Sequence, residues 1–129
     1  MQRIIISFFC FVCGYTLSQS QTELNLKAEQ DYLEADKNLN QVYQAILIEY
    51  SDNEAFIENL KTAQRFWIQF RDAEILMKYP KDDPIRECSA FNQCYYICLS
   101  ELTSTRVKTL KIWVEGAEEG EVCSGSQKI

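Results

Sequence analysis

The sequence predicts an all-α fold, an antiparallel three-helix bundle whose C-terminal tail is tethered by disulfides. Apolar residues recur at steps of three and four along three segments, which is the spacing of one face of an α-helix. Proline and glycine are scarce and fall mainly between these segments, and four of the six cysteines lie in the last third of the chain. Together these features favour three long helices, with crosslinks in the region that follows the second helix.

Residues 1–20 have the pattern of a secretory signal peptide. Arg3 provides a positive start, an apolar run follows from Ile4 to Leu17, and Ser18 and Ser20 are small residues at the −3 and −1 positions of a cleavage site. A run of ~14 apolar residues is too short to cross ~30 Å of hydrocarbon as a helix. The sequence therefore predicts cleavage after Ser20, within about two residues, and a mature helical domain of residues 21–129.

The predicted destination is outside the cytoplasm, either the periplasm or the extracellular space. A lipid-anchored protein would need a small residue directly before its signal cysteine. Phe9 precedes Cys10 and Val12 precedes Cys13, so a lipid anchor is not expected. The mature chain is likewise not expected to insert stably into a membrane.

The three helical segments run from about residue 22 to 50, from 51 to 79 and from 89 to 115. Ser51 and Glu54 are typical of a capping box at the start of the second helix. Pro80 ends that helix, residues 81–87 form a polar link, and Gly116 suits the third helix C-terminus. Short links favour an up-down-up bundle. The predicted apolar stripes are Ala28, Tyr32, Ala35, Leu39, Val42, Tyr43, Ile46 and Tyr50 on the first helix; Phe56, Leu60, Ala63, Trp67, Phe70, Ala73 and Met77 on the second; and Phe91, Cys94, Cys98, Leu102, Arg106, Thr109 and Trp113, flanked by Tyr95, Leu99 and Leu110, on the third.

Four cysteines remain in the predicted mature chain: Cys88, Cys94, Cys98 and Cys123. An even number in a short exported protein predicts disulfides, worth roughly 2–4 kcal/mol each. Cys94 and Cys98 lie four residues apart on one helix, where their Cβ vectors run roughly parallel. Each is therefore expected to pair with Cys88 or Cys123, in either combination.

The chain contains no histidine, which argues against a zinc site and against an activated thiolate. We expect no metal, no cofactor and no catalytic site, and therefore no enzyme.

The acidic balance restricts the class of partner. The net charge of −6 becomes −7 once Arg3 is removed with the signal segment. This disfavours nucleic acid and anionic membrane surfaces, and it suits a basic protein partner, although solubility alone would also explain it. The densest acidic run is the predicted partner contact, with solvation of a chain terminus as the alternative. Its members are Glu115, Glu118, Glu119 and Glu121.

Several polar residues lie on or beside the predicted apolar stripes: Asp36 and Asn40, Arg71 and Asp72, and Arg106. A half-buried charge is costly unless it is paired. We therefore predict an interhelical network of the two aspartates with the two arginines that serves stability. A general acid and base pair is the alternative, but nothing else in the sequence indicates a substrate cleft.

Three blocks of sequence carry a family resemblance. Residues 34–43, EADKNLNQVY, resemble the "ADxxLNxxY" signature of the lysozyme inhibitor LprI N-terminal domain family. Residues 60–74 are similar to its "LxxAQxxWxxFRDAE" element, and residues 98–106 are similar to its "CxxxLTxxR" block. The blocks occur in family order and span most of the mature chain. The resemblance implies an exported helical domain of bacterial type, and its name implies lysozyme inhibition.

The cysteine pattern departs from that of many family members. Ile75 stands where many members have a cysteine after "RDAE", and residues 21–60 contain none. The ending at residues 119–126, EGEVCSGS, looks like a subgroup tail in which that cysteine joins the third helix. From that resemblance we expect the pairs Cys94–Cys123 and Cys88–Cys98.

Two functions remain open at the level of sequence. One is binding, and inhibition, of a basic muramidase. The other is an interaction or structural module of the cell envelope with no lysozyme role.

Overall fold

Three α-helices and one short 3-10 turn make up the fold, which is described by a computed structural model over residues 20–129. The helices are α1, Gln21–Glu49; α2, Glu54–Lys78; and α3, Phe91–Glu115; the 3-10 turn spans Pro84–Glu87. No strand occurs within these residues. The all-α prediction is therefore confirmed for the described part of the chain, while residues 1–19 of the predicted signal segment lie outside it.

The first helix begins at a capping box. The Ser20 hydroxyl accepts a hydrogen bond from the Glu23 backbone N–H, and the Glu23 carboxylate accepts one from the Ser20 N–H, both at 3.2 Å. This reciprocal pair satisfies two backbone donors at the helix start. The predicted cleavage point after Ser20 falls inside this cap.

The N-cap of the second helix lies two residues later than predicted. Residues 50–53 form a turn in which the Asn53 N–H donates to the Tyr50 carbonyl oxygen. The Asn53 side chain then accepts from the Phe56 N–H at 3.1 Å, so Asn53 is the N-cap and the capping box predicted at Ser51 is wrong. The C-terminal boundary agrees with the prediction, because α2 ends at Lys78 just before Pro80.

The link between α2 and α3 is folded. The Asp83 carboxylate accepts from the Ile85 N–H at 2.8 Å and starts the 3-10 turn. Arg86 then reaches back and donates to the carbonyl oxygens of Tyr79 at 2.8 Å and Pro80 at 2.7 Å. These bonds satisfy carbonyls at the end of α2 that have no intrahelical partner.

The up-down-up arrangement is visible in the aromatic contacts. Tyr50, at the end of α1, and Phe56, at the start of α2, both contact Trp113 at the end of α3. At the opposite end, Tyr79 of α2 contacts Phe91 at the start of α3. Helices α1 and α3 therefore run parallel and α2 runs antiparallel to both. We call the Tyr50 end the upper end and the Tyr79 end the lower end.

Helices α1 and α3 form the closest interface, and α2 packs more openly, so grooves flank it. The α1 stripe is correctly predicted. On α2, however, Phe70 is 54% exposed and Met77 is 72% exposed. Leu60 of the predicted α2 stripe is buried, but the other buried residues of α2 are Gln64 and Ile75. The buried residues of α3 are Leu99 and Leu110, which flank the predicted stripe, together with Thr103 and Val107. The predicted stripes on these two helices thus overlap the observed core only in part, with Leu60, Trp67 and Trp113 among the residues they share.

Candidate functional site

The predicted polar network exists only in part. Arg71 pairs with its neighbour Asp72 at 2.8 Å, and Asp36 accepts from Asn40 at 3.2 Å within α1. The link between helices is different from the prediction, because the Arg106 Nε–H donates to the Gln64 side-chain oxygen at 3.0 Å. Within residues 20–129, neither aspartate forms a salt bridge with Arg106. The assignment of these residues to stability remains a prediction.

Two arginines flank one tryptophan in this region. The guanidinium carbons of Arg71 and Arg106 lie 5.3 and 5.8 Å from the Trp67 ring centroid. Such contacts hold a cation against an aromatic face and contribute on the order of 1 kcal/mol. Trp67 therefore joins α2 to α3 and positions both arginines.

Tyr32 lies among the same charges. Burial raises the pKa of the Tyr32 phenol, while the Arg71 guanidinium opposes this and Asp36 reinforces it. Tyr32 also stacks on Tyr96, with ring centroids 5.8 Å apart. The "AD" and "RDAE" residues thus surround a tyrosine that joins α1 to α3.

An open groove of about 440 Å³ lies between α1 and α2. Its walls carry amide, cationic and aromatic side chains, and the described residues that line it include no carboxylate. The carboxylates of the alternative acid and base hypothesis, Asp36 and Asp72, are therefore not among the residues that line this groove. The lining residues are Asn40, Tyr43, Lys61, Gln64, Arg65, Ile68 and Gln69.

The four cysteines of the described chain are unpaired. Cys88 and Cys94 line one small cavity at the lower end beside Tyr79, and Cys98 lies one turn along α3. Cys123 belongs to the tail that follows α3, and Gly116, the C-cap of that helix, lies 18 positions after Cys98, a rise of about 27 Å. Cys94 and Cys123 therefore lie toward opposite ends of the bundle, and the Cys94–Cys123 and Cys88–Cys98 pairs are not present.

Hydrogen bonds, and not a disulfide, fold the tail back in this structure. The Ala117 N–H donates to the Lys128 carbonyl oxygen at 2.8 Å, and the Lys128 N–H donates to the Tyr50 hydroxyl at 2.8 Å. The Lys128 ammonium lies 3.6 Å from carboxylate oxygens of both Glu49 and Asp52. We call this set of contacts the tail clasp.

Gly116 makes the clasp possible. Its φ of 79° and ψ of 175° lie in a region that is essentially restricted to glycine. A Cβ atom at this position would stand 2.9 Å from the Lys128 carbonyl oxygen. The chain can therefore leave α3 and meet residue 128 only with glycine here.

The tail clasp presents the predicted acidic patch at the upper end. Glu115, Glu118, Glu119 and Glu121 are all exposed. Within residues 20–129, their carboxylates form no salt bridge. Asp52 lies on the adjoining turn between α1 and α2, and Glu49 and Glu54 are the helix residues on either side of that turn.

Charge is strongly concentrated at this end. Residues 49–54 and 115–129 contain seven carboxylate side chains and a single basic residue, Lys128, which gives a net charge of −6. The whole of residues 20–129 carries −7, because Arg3 is the one charged residue before position 20. The remainder of the described chain is therefore close to neutral, at −1.

Some residues of the site had no clear sequence signal. Tyr50 and Lys128 are 78 positions apart, and only the fold brings them together. Gln64 stands out in the sequence as a polar residue beside the predicted α2 stripe, but only the fold shows that its partner is Arg106. Among the described residues, no helix is both long enough and apolar enough to cross a membrane.

The chain was compared with known proteins. Residues 13–110 match the family described as "Lysozyme inhibitor LprI". An uncharacterized protein of Rhizobium meliloti (strain 1021) is 34% identical over 110 residues, which cover 77% of this chain and 77% of that protein. No solved structure matches. Since the family match covers most of the sequence and includes all three motif blocks, this chain belongs to the lysozyme inhibitor LprI family.

Proposed function

We propose that this protein binds a basic muramidase through its acidic upper end and obstructs access of substrate to the enzyme. The observation that carries this proposal is the concentration of six of the seven net negative charges in residues 49–54 and 115–129. Family membership supports an inhibitory role, since the family is described by lysozyme inhibition. We also propose that the protein acts outside the cytoplasm, in the periplasm or the extracellular space.

The order of the tail supports this choice of surface. Binding is weakened when a flexible segment must be ordered on association, so a surface held in place beforehand loses less free energy. The tail clasp fixes both ends of the acidic segment, with the Lys128 N–H bonded to a Tyr50 hydroxyl on a buried ring. A charged surface fixed in this way also steers a partner of opposite charge toward it.

The test is inhibition of a basic muramidase by the mature protein at low and high salt. The variant Glu118→Lys/Glu119→Lys/Glu121→Lys reverses the patch. We expect its inhibition constant to rise by about tenfold or more, roughly 1.4 kcal/mol. The wild type should also weaken as salt rises, since the Debye length falls from ~10 Å at 0.1 M to ~3 Å at 1 M.

A matched control separates the patch from net charge. The variant Asp82→Lys/Glu87→Lys/Glu101→Lys makes the same change in net charge away from the upper end, at three exposed residues. We expect its inhibition constant to stay within about threefold of the wild type, because long-range effects of rim charges are screened by salt. Equal losses in both variants would contradict a localised contact. No inhibition by the wild type would leave the envelope module as the function to pursue.

A further inference from the structure

A cleft with a volume of about 340 Å³ lies between the first half of α2 and the second half of α3. Its apolar walls are formed by Phe56, Leu60 and Ala63 on α2 and by Leu110 and Trp113 on α3. Four residues of each helix border it, between Phe56 and Ala63 on α2 and between Arg106 and Trp113 on α3, which corresponds to a length of about 10 Å. Both the volume and the predominance of apolar walls are typical of a small-molecule site.

Arg106 lines this apolar cleft without a carboxylate partner. Its Nε–H donates to Gln64, and no acceptor within residues 20–129 takes a hydrogen bond from its two terminal amino groups. The side chain is partly buried, and burial lowers the pKa of the guanidinium, which still remains protonated at neutral pH. A cation with unused donors therefore lines a mainly apolar cleft, whose other polar lining residues, Asn59, Thr109 and Ser126, carry no charge.

Arg71 provides an internal comparison. It contacts the same Trp67 ring at a similar distance, but its guanidinium is paired with Asp72 at 2.8 Å. Arg71 does not line the cleft, whereas Arg106 does. The two arginines thus share one aromatic support, and only Arg106 has donors available toward the cleft.

We propose that this cleft binds an organic carboxylate with an apolar body, of the size of a medium-chain fatty acid. The carboxylate would accept hydrogen bonds from the terminal amino groups of Arg106, whose planar fork matches a carboxylate in a bidentate manner. The apolar body would lie along Phe56, Leu60 and Trp113 toward the upper end. This binding site is separate from the acidic patch, and it does not depend on muramidase binding.

The tail takes part in this site. Ser126, in the segment held by the tail clasp, lines the cleft together with residues of α2 and α3. A bound ligand would therefore contact three parts of the chain at once. A ligand bound in the cleft should slow hydrogen exchange at the Lys128 N–H. Exchange requires the tail to open, and opening would expose the bound ligand to water.

The test is titration of the mature protein with decanoate, followed by the indole N–H signal of Trp113 in a ¹⁵N spectrum. Decanol, which lacks the charge, serves as the ligand control. We expect saturable binding of decanoate at least tenfold tighter than that of decanol. Arg106→Gln should weaken decanoate binding by about tenfold or more, and the matched variant Arg71→Gln should leave it within about twofold.

A second variant keeps the test decisive if Arg106→Gln fails to fold. Ala63→Phe places a large ring on an exposed position of the cleft wall and leaves Arg106 intact. It should abolish saturable binding while the protein remains folded. Equal affinity for decanoate and decanol, equal losses in the two arginine variants, or unchanged binding by Ala63→Phe would each overturn the proposal.

Discussion

Helix α1 supplies a polar side chain at each end of the bundle, and the two ends are held in different ways. At the lower end, the Asn25 amide accepts from the Gln93 N–H at 3.1 Å and donates to the Ser89 carbonyl oxygen at 3.0 Å. At the upper end, the Tyr50 hydroxyl accepts from the Lys128 N–H at 2.8 Å. In each case a side chain of α1 or of its C-cap bonds to a backbone group far away in sequence.

The lower contact is a helix cap provided by another helix. The residue at the N-cap of α3 is Ala90, which has no side chain able to accept a hydrogen bond. Asn25 occupies that role, because Gln93 is the third residue of α3 and its N–H has no intrahelical partner. The contact is polar and only partly buried.

The upper contact depends mainly on burial. The Tyr50 side chain is 1% exposed, and its ring lies 4.2 Å from that of Phe56 and 6.1 Å from that of Trp113. The hydroxyl at its tip reaches the tail. The comparison teaches that the same helix joins α3 by a hydrogen-bonded cap at one end, and joins the tail by a buried aromatic residue at the other.

The largest effect should come from removing the buried ring. Tyr50→Ala deletes a fully packed aromatic side chain and its hydroxyl, which should lower the free energy of unfolding by roughly 3–5 kcal/mol. Tyr79→Ala at the lower end removes a ring that is 8% exposed and packs edge-on against Phe91. We expect a smaller loss there, and urea unfolding of both variants measures it. Equal losses would contradict the energetic difference between the two ends.

A smaller effect should follow from removal of the cross-helix cap. Asn25→Ala leaves the Gln93 N–H and the Ser89 carbonyl without their protein partners, which should cost roughly 1–2 kcal/mol. Asn92→Ala is the matched control, because Asn92 is exposed, belongs to α3 itself and makes no side-chain hydrogen bond within the described chain. Urea unfolding should separate the two variants by about 1 kcal/mol. A control as destabilised as Asn25→Ala would exclude the capping role.

Local patterns predicted the helices well and their packing less well. Helical spacing, Pro80 and Gly116 each correspond to an observed element or boundary. On α1 the residues of the predicted stripe are all buried or partly buried, while Leu26, Leu33 and Ile48 lie outside it and are exposed. On α2 the apolar residues do not form one stripe, because Phe66, Phe70 and Met77 lie on one side and Leu60 and Ile75 on another. Periodicity alone cannot decide which of two apolar faces a neighbouring helix covers.

For the candidate site, too, the local sequence predicted some features and not others. The acidic composition of the tail is a property of the sequence, and the structure shows these residues exposed at one end. The means of holding the tail depends on groups 78 residues apart, so no local pattern could predict the contact of Tyr50 with Lys128. The number of cysteines predicted disulfides, but the number alone does not show where the thiols lie in the fold. The fold places Cys88 and Cys94 together and Cys123 beyond the other end of α3.

The smallest expected effect distinguishes a hydrogen-bonded tail from a disulfide-bonded tail. Tyr50→Phe keeps the ring and its stacking but removes the acceptor of the Lys128 N–H. The free energy of unfolding should fall by about 1 kcal/mol, the usual net contribution of one hydrogen bond. Hydrogen exchange at the Ala117 and Lys128 N–H groups should accelerate, because the tail clasp loses one of its bonds.

Cys123→Ser is the matched change on the tail itself. The Cys123 side chain is exposed and its thiol is unpaired, so this substitution should change the free energy of unfolding by no more than about 0.5 kcal/mol, as is usual for surface positions. If Cys123 formed a disulfide, Cys123→Ser would instead destabilise the protein more than Tyr50→Phe does, because loss of a native crosslink costs roughly 2–5 kcal/mol in a small exported domain. The two variants are compared by urea unfolding of protein purified without reductant, with alkylation and intact mass reporting the state of the thiols. A Cys123→Ser variant that loses more stability than Tyr50→Phe would show that a crosslink, and not the Tyr50 hydroxyl, holds the tail. Only a crosslink can make an exposed sulfur contribute more than the partly buried hydrogen bond of Lys128 to Tyr50.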